Sequence, residues 1–413
     1  TETETETEES LTEQEGGPRS STSSTMSETR SIRAQQQKRA LLQLLGGGST
    51  NIKSSPDPVL ADPFTKEPLF ISLGSQRGSP PLLGNGGSVP ISLTLQTNDP
   101  SDFSSSSRSN SNNNNVVYRG RTDTYLNLLE PVASPVDDHD ENGDDTDDSN
   151  KSRLNLDAFR VFVPPPLRSV FSSFSSNNNN NDSNNDKNAY IPMRDLFTSP
   201  AVSFAYERGW RQGFAAAGFP GADTEYELVR DYFRPLNDKS VVVDMSCATG
   251  LFTRRLAKGG EFGRVLGCDY SEAMLMEARR RIQAESLNIS SGKSNTKLQL
   301  VRCDVGQIPM QTASVPAVHA GAAMHCWPDL PAALSEVYRV LQPGGRYFAS
   351  TFLSSYFRTL QLSSSSTDIQ SQAFQYFEST DMIQSLLVQA GFESDNIQIE
   401  ILGNACIIIR CEK

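Results

Sequence analysis

From about residue 195 onward, short apolar runs alternate with segments whose apolar residues recur every three or four positions. The runs at 240–244, 264–268, 298–303, 317–320 and 346–352 predict strands, and the amphipathic stretches 252–258, 272–285, 331–341 and 380–390 predict helices. Strands in such alternation imply a parallel sheet with helices on both faces, because a parallel pair needs a long crossover and the crossover helix lies on the sheet. Two final strands, near 397–401 and 406–411, are separated only by a turn around Gly403 and Asn404. That turn is too short for a crossover and predicts an antiparallel edge. Ahead of the first strand, 196–216 is aromatic-rich and helical in period, ending at Gly218 and Pro220. Thr224 with Glu227 three residues on predicts a capping box opening the next helix. The expected fold class is α/β, a doubly wound, mostly parallel sheet with one antiparallel edge strand.

The first 195 residues have no such rhythm. The stretches 1–10, 20–25, 104–115, 137–148 and 172–185 are low-complexity and polar or acidic. They hold too little apolar surface to offset an ordering cost of about 1 to 2 kcal/mol per residue, so a long, largely disordered front region is expected. Two islands interrupt it. Residues 31–45 have the pattern of a basic amphipathic helix, and 57–73 with 116–130 read as short strand pairs of a small irregular module. The expected organisation is thus a front region over 1–195 and one enzyme-sized domain over 196–413.

Charge and cysteine usage narrow the function classes. Of the net −12, most falls in residues 1–195, which hold 27 Asp and Glu against 17 Lys and Arg. The back domain is nearly neutral, without the clustered basic residues that phosphate backbones require, so no nucleic-acid partner is expected. The dense run Arg279–Arg280–Arg281 reads as a solvated helix face. All six cysteines lie after residue 240 and no two are spaced as CxxC, which argues against a zinc site or a disulfide framework. No metal is expected. No run approaches the roughly 20 apolar residues of a membrane span. The chain begins at Thr1 without a methionine, so its true start and any targeting signal can lie further upstream.

The chemistry concentrates at predicted strand ends. In an open doubly wound sheet, ligands bind at the carboxyl ends of the strands near the point where strand order reverses. The first strand ends in Asp244 and breaks into the small-residue turn Met245–Ser246–Cys247–Ala248–Thr249–Gly250. The second ends at Asp269, 25 residues on, where an acid that holds ribose hydroxyls belongs. The third ends at Asp304, placed to accept a bond from an adenine amino group. Singly, each aspartate reads equally well as a loop residue or helix cap. Together they describe a nucleoside pocket. Of the glycines of a dinucleotide site only Gly250 remains, and Asp244 would repel a pyrophosphate, whereas S-adenosylmethionine presents a cationic tail that suits it.

Five segments resemble class I S-adenosylmethionine-dependent methyltransferases: 203–221, 241–257, 265–279, 317–329 and 339–352. The most specific strings are YERGWRQ and HAGAAMHCWP, and the nearest branch is the plastid, plastoglobule-associated one within the ubiquinone and menaquinone biosynthesis methyltransferase group. The resemblance covers about 196–413 and implies a Rossmann-like fold with S-adenosyl-L-methionine as cofactor. It implies that Asp244, Ser246, Ala248 and Gly250 line the methionine part, Asp269 and Tyr270 the ribose, and Asp304 and Val305 the adenine. Cys247 in the same turn and Gly321 after the fourth strand belong to the same expected cofactor set. The sequence departs from the family at Ala248, where glycine is usual, and at Pro316, where an aspartate commonly stands. The front-half strands keep only the outline, without cysteines, of a zinc module that the family often carries.

Methyl transfer from an activated donor needs mainly an aligned acceptor, and a base only where that acceptor must lose a proton. His325 is the candidate base, with a structural or orienting role as the alternative. Trp327 offers a flat wall for a small, lipophilic or quinone-like acceptor. Tyr206 and Trp210 are candidates for a substrate-side lid, with core packing as the competing reading. The resemblance further implies a plastid location and a chain that can sit peripherally on membranes or lipid particles. A catalytically inactive nucleoside-binding scaffold is the alternative kept open by Ala248 and Pro316, and an NAD-dependent reductase is disfavoured by the missing glycines.

Overall fold

A computed structural model describes residues 55–73, 92–98, 115–121, 124–132, 211–287, 296–355 and 377–413. The chain divides into two units, 1–52 and 53–413, of which the first lies outside the described residues. So do the expected helix 31–45, the low-complexity tracts, most of the aromatic stretch 196–216, and the lid candidates Tyr206 and Trp210.

The strands are β1 (Phe70–Leu73), β2 (Ser92–Gln96), β3 (Val117–Arg121), β4 (Leu126–Asn127), β5 (Val241–Met245), β6 (Arg264–Asp269), β7 (Lys297–Arg302), β8 (Val315–Gly321), β9 (Leu341–Phe352), β10 (Ile397–Leu402) and β11 (Cys406–Glu412). They form one sheet in the order β1-β2-β3-β4-β7-β6-β5-β8-β9-β11-β10. From β4 through β9 every neighbouring pair is parallel. The central strand β5 is buried along nearly its whole length, which is why it reads VVVDM instead of alternating. The expected antiparallel edge is present, β9 pairing with β11 and β11 with β10.

The helices are α1 (Ala222–Tyr232), α2 (Leu251–Gly259), α3 (Glu272–Ala284), α4 (Leu330–Val340) and α5 (Thr380–Ala390). Crossovers run outward from β5 to β7, then after β8 in the opposite direction to β9. Right-handed crossovers in opposite directions put α2 and α3 on one face and α4 on the other, and leave a switch point between β5 and β8. Local signals set the helix starts: Ser271 accepts from Met274 N at α3, Asp329 accepts from Ala332 N at α4, and Ser379 does the same for Met382 N at α5. The Thr224 capping box does not form. Helix α1 starts two residues earlier after Gly221 and without a side-chain cap. Inside its first turn, Glu225 is buried and bonds Arg211 at 2.6 Å. The run 279–281 is only partly a solvated face: Arg280 and Arg281 pair with Glu277, whereas Arg279 is buried.

The front-half stretches 57–73 and 116–130 contribute strands to this same sheet. Strands β1 to β4 form an antiparallel meander whose last strand pairs parallel with β7, Leu126 opposite Val301. Ahead of β1, Leu60 bridges Met310. Asp62 accepts from the amides of Phe64 and Thr65 and, on its other oxygen, from the buried Tyr118 hydroxyl at 2.8 Å. Asp57 receives Arg264 Nη1 on both carboxylate oxygens at 3.1 Å each and also accepts the amides of Val59 and Leu60. These bonds fasten residues 57–61 to the amino end of β6. No helix among the described residues is long and apolar enough to cross a membrane.

Burial opposes ionisation of Asp57, but Arg264 and the two amides outweigh it and hold its carboxyl below the ordinary value of 3.8. A depressed acid stabilises the fold above its unfolded pKa and loses that contribution as pH falls through the folded value. Asp57→Ala is expected to cost about 1 to 3 kcal/mol at neutral pH, since it strands a largely buried guanidinium. The gap to wild type should shrink below about pH 4, and urea unfolding at pH 7 and pH 3.5 measures both.

Candidate functional site

The carboxyl ends of β5, β6, β7 and β8 meet at the switch point, and the turn after β5 decides the shape there. Ser246 and Ala248 lie in the left-handed region, with φ of 57° and 48°, followed by Gly250 at 73°. Glycine takes that conformation freely, while each non-glycine residue there costs of order 1 to 3 kcal/mol and must be held by its surroundings. Asp269 Oδ2 accepts the Ala248 amide at 2.8 Å. Trp327 Nε1 donates to Ser246 Oγ at 3.0 Å. Cys247 N donates to Cys268 O at 2.9 Å. Three contacts, two from β6 and one from the segment after β8, thus pin a turn that its own residues do not favour.

Behind this turn opens a cavity continuous with solvent. Its lining comes from the turn (Met245, Ser246, Ala248), the end of β6 and start of α3 (Asp269, Tyr270, Met274), the end of β7 (Cys303, Asp304, Val305), and the segment after β8 (Gly321, Ala322, Ala323, Cys326, Trp327, Pro328). From the sequence-expected set, Ser246, Ala248, Asp269, Tyr270, Asp304, Val305, Gly321 and Trp327 come together here. The residues missed are mostly apolar neighbours of these. Met274 is one turn into α3 and looked like ordinary core, and Ala322, Ala323 and Cys326 offered no chemical signal of their own.

Asp244, Cys247 and Gly250 stand behind the wall. Asp244 is only 2% exposed. Its Oδ2 accepts the Thr253 hydroxyl at 2.5 Å and its Oδ1 lies 2.7 Å from His319 Nδ1. The His319 ring packs on Phe252, centroids 4.7 Å apart, and on Phe348. The first carboxylate therefore joins β5, β8 and α2 from within, and the expected meeting of three acids at one cavity surface becomes two acids at the surface and one beneath it. Burial pushes the Cys247 thiol up. His325 is also outside the lining: it is buried edge-on against Phe352, its Nδ1 is 3.5 Å from Thr351 Oγ1, and burial lowers its imidazole to about 3, so it is neutral near pH 7.

The two carboxylates at the surface differ. Asp269 receives the amides of Ala248 and Ser271 at 2.8 Å each. Burial nonetheless raises its carboxyl to about 6, against the amide bonds that favour ionisation. Asp304 Oδ1 accepts Gly306 N at 2.8 Å and starts the short 3-10 helix Val305–Gln307. Among the described residues, no lysine, arginine or histidine lines the cavity. Two acids on adjacent strand ends, flanked by apolar Met274, Val305, Ala322 and Ala323, fit an adenosine with a cationic tail. The same set would repel the pyrophosphate of a dinucleotide.

Removing the Asp244 side chain would strand the Thr253 hydroxyl and the His319 ring in the core. Asp244→Ala is therefore expected to destabilise by about 3 kcal/mol, and Asp244→Asn, which can still bond both partners, by about half that or less. Denaturant unfolding of the two variants tests this, and a loss under about 1 kcal/mol for the alanine variant would contradict the anchoring role.

Comparison with known proteins is concordant with this geometry. Residues 243–349 match the model of a methyltransferase domain. An uncharacterized chloroplastic methyltransferase of Arabidopsis thaliana is 45% identical over 159 residues, 38% of this chain and 44% of that protein. A demethylmenaquinone methyltransferase of Symbiobacterium thermophilum is 36% identical over 29% of this chain and 44% of that protein. Among solved structures, a putative S-adenosyl-L-methionine-dependent methyltransferase of Methanococcus maripaludis aligns with a TM-score of 0.39 at 19% identity, covering 56% of this chain and 97% of the other. The chain spans less than half the length of the curated plant relative it matches. Beside a doubly wound sheet with a switch-point cavity walled by acids, it is residues 243–349 that carry the match to a methyltransferase domain.

Proposed function

We propose that this chain transfers a methyl group from S-adenosyl-L-methionine to a small, lipophilic, quinone-like acceptor, and that it does so in a plastid. The observation that carries the reading is the pairing of Asp269 and Asp304 on adjacent strand ends around a cavity whose other described lining residues are uncharged. In this reading Asp269 and Tyr270 hold the ribose, Asp304 and Val305 the adenine, and the turn Ser246–Ala248 borders the methionine part. When bound, the cofactor supplies a methyl group already activated on a sulfonium.

The chain's own residues then have two tasks. One is orientation: the pinned turn and the rigid strand ends fix the donor side, an effect that can supply about 7 to 11 kcal/mol of a barrier by proximity alone. The other is to seat the acceptor. Ala322, Ala323, Trp327 and Pro328 offer an apolar wall beside the acids, and the Trp327 indole is immobilised by its bond to Ser246. That wall supports a flat, lipophilic acceptor, as does similarity to demethylmenaquinone methyltransferases. Neutral, and packed behind the wall, His325 is assigned the part of holding the segment 322–328 in place. Similarity to the chloroplastic Arabidopsis protein supports the location.

Ribose hydroxyls are best accepted by an ionised carboxylate, and the Asp269 carboxyl sits at about 6. Binding of S-adenosylhomocysteine is expected to be flat above pH 7 and to weaken by up to about tenfold per unit below pH 6. Asp269→Asn should bind at least about tenfold more weakly at pH 7.5 and lose that pH dependence, as calorimetric titration across pH 5 to 8 reads out. The acceptor class is tested by offering prenylated quinol precursors with a methyl-labelled cofactor. Labelling of peptide or RNA with none of the quinols would exclude it.

A further inference from the structure

The front-half strands do not line the cavity, yet one chain of contacts runs from them to its rim. Tyr125, immediately before β4, donates its hydroxyl to Glu272 Oε1 at 2.6 Å across 147 residues of sequence. Glu272 is the first residue of α3, two positions after Tyr270. Its Oε2 lies 4.0 Å from Arg302 Nη1, and Arg302 Nε donates to the Tyr270 carbonyl at 3.1 Å. Arg302 is in turn held from the front half: its carbonyl accepts Leu128 N at 2.9 Å and it stands opposite Asn127 in the β4–β7 register. The Tyr125 ring packs against the main core cluster, so the hydroxyl has a fixed point of origin. Burial and the neighbouring Glu272 carboxylate push that hydroxyl to about 12, which keeps it a donor at any physiological pH.

We infer that Tyr125 is a positioning residue of the cofactor site: through Glu272 and Arg302 it fixes the Tyr270 backbone beside Asp269, so a segment outside the matched domain sets how tightly the adenosyl rim closes. Tyr125 is not itself among the lining residues, and its effect is transmitted. The inference rests on the cofactor reading proposed above. It also gives the upstream strands a purpose that a merely appended module would not have, since the bond leaves from the residue before β4 and ends at the first residue of α3, beside the loop proposed to hold the ribose.

The test uses the full chain, with S-adenosylhomocysteine as the titrated probe. Tyr125→Phe keeps the ring and removes only the hydroxyl, and is expected to weaken binding by about three- to tenfold, the range for one partly exposed hydrogen bond to a charged group. Its thermal unfolding midpoint should stay within about 2 °C of wild type, which separates positioning from support of the fold. Glu272→Ala should weaken binding comparably, and the double variant should bind no more weakly than Glu272→Ala alone, because both substitutions break one relay. Unchanged affinity in Tyr125→Phe, or losses that simply add in the double variant, would overturn the inference while leaving the cofactor reading intact. No binding by the unsubstituted chain would instead remove the cofactor reading, and the inference with it.

Discussion

The Asp269 carboxylate is the joint on which the site is built. One oxygen receives the Ala248 amide and the other the Ser271 amide, each at 2.8 Å. It thereby binds the turn after β5 to the first turn of α3 across the end of β6. That turn carries two non-glycine residues in the left-handed region, Ser246 and Ala248, a conformation unfavourable on its own. The strain is tolerable because the turn is held from several sides: by Asp269, by the Trp327 indole, and by the Cys268 carbonyl. The geometry that would cradle an adenosyl group is a property of these cross-links rather than of the local sequence.

A second acid does different work below the surface. Asp244 satisfies Thr253 on α2 and His319 on β8, so the two strands flanking the switch point and the helix behind them share one buried hydrogen-bonded centre. Buried polar groups are tolerated only when bonded, and a satisfied network of this kind rigidifies its surroundings. The result is a stiff floor under a cavity whose walls are apolar and whose rim is acidic. The upstream strands extend that stiffness sideways, since β4 buttresses β7 and the ion pair of Asp57 with Arg264 closes the opposite end of β6. The methyltransferase match begins at residue 243, yet the sheet that supports it includes strands from residue 70 onward.

How much of this was legible in the chain can be traced residue by residue. The buried runs of β5 to β9 and the amphipathic helices between them were readable because hydrophobic period is fixed by the local backbone geometry of each element. Asp269 and Asp304 were readable because a strand followed by a helix places its last residue at the sheet's carboxyl rim. The capping box at Thr224 failed because Gly221 opens α1 earlier and Glu225 is drawn to Arg211. His325 looked like a base because its loop follows a strand, but its ring turned inward against Phe352, a choice that no loop position dictates.

The sequence by itself determined the element order, the parallel crossovers, the antiparallel edge and the small-residue turn, since each follows from spacing and periodicity within a few residues of the chain. It also determined that an acid would stand at the end of three successive strands. Only the tertiary structure decided which of those acids faces the cavity, because a side chain at a strand end can turn toward the core or the rim according to what packs beside it. It alone decided that Trp327 and Ser246 bond, that Tyr125 reaches Glu272, and that the front-half strands belong to the same sheet. Those contacts join residues dozens to well over a hundred positions apart, and nothing in a local pattern of polar and apolar positions encodes which distant partner will complete a hydrogen bond.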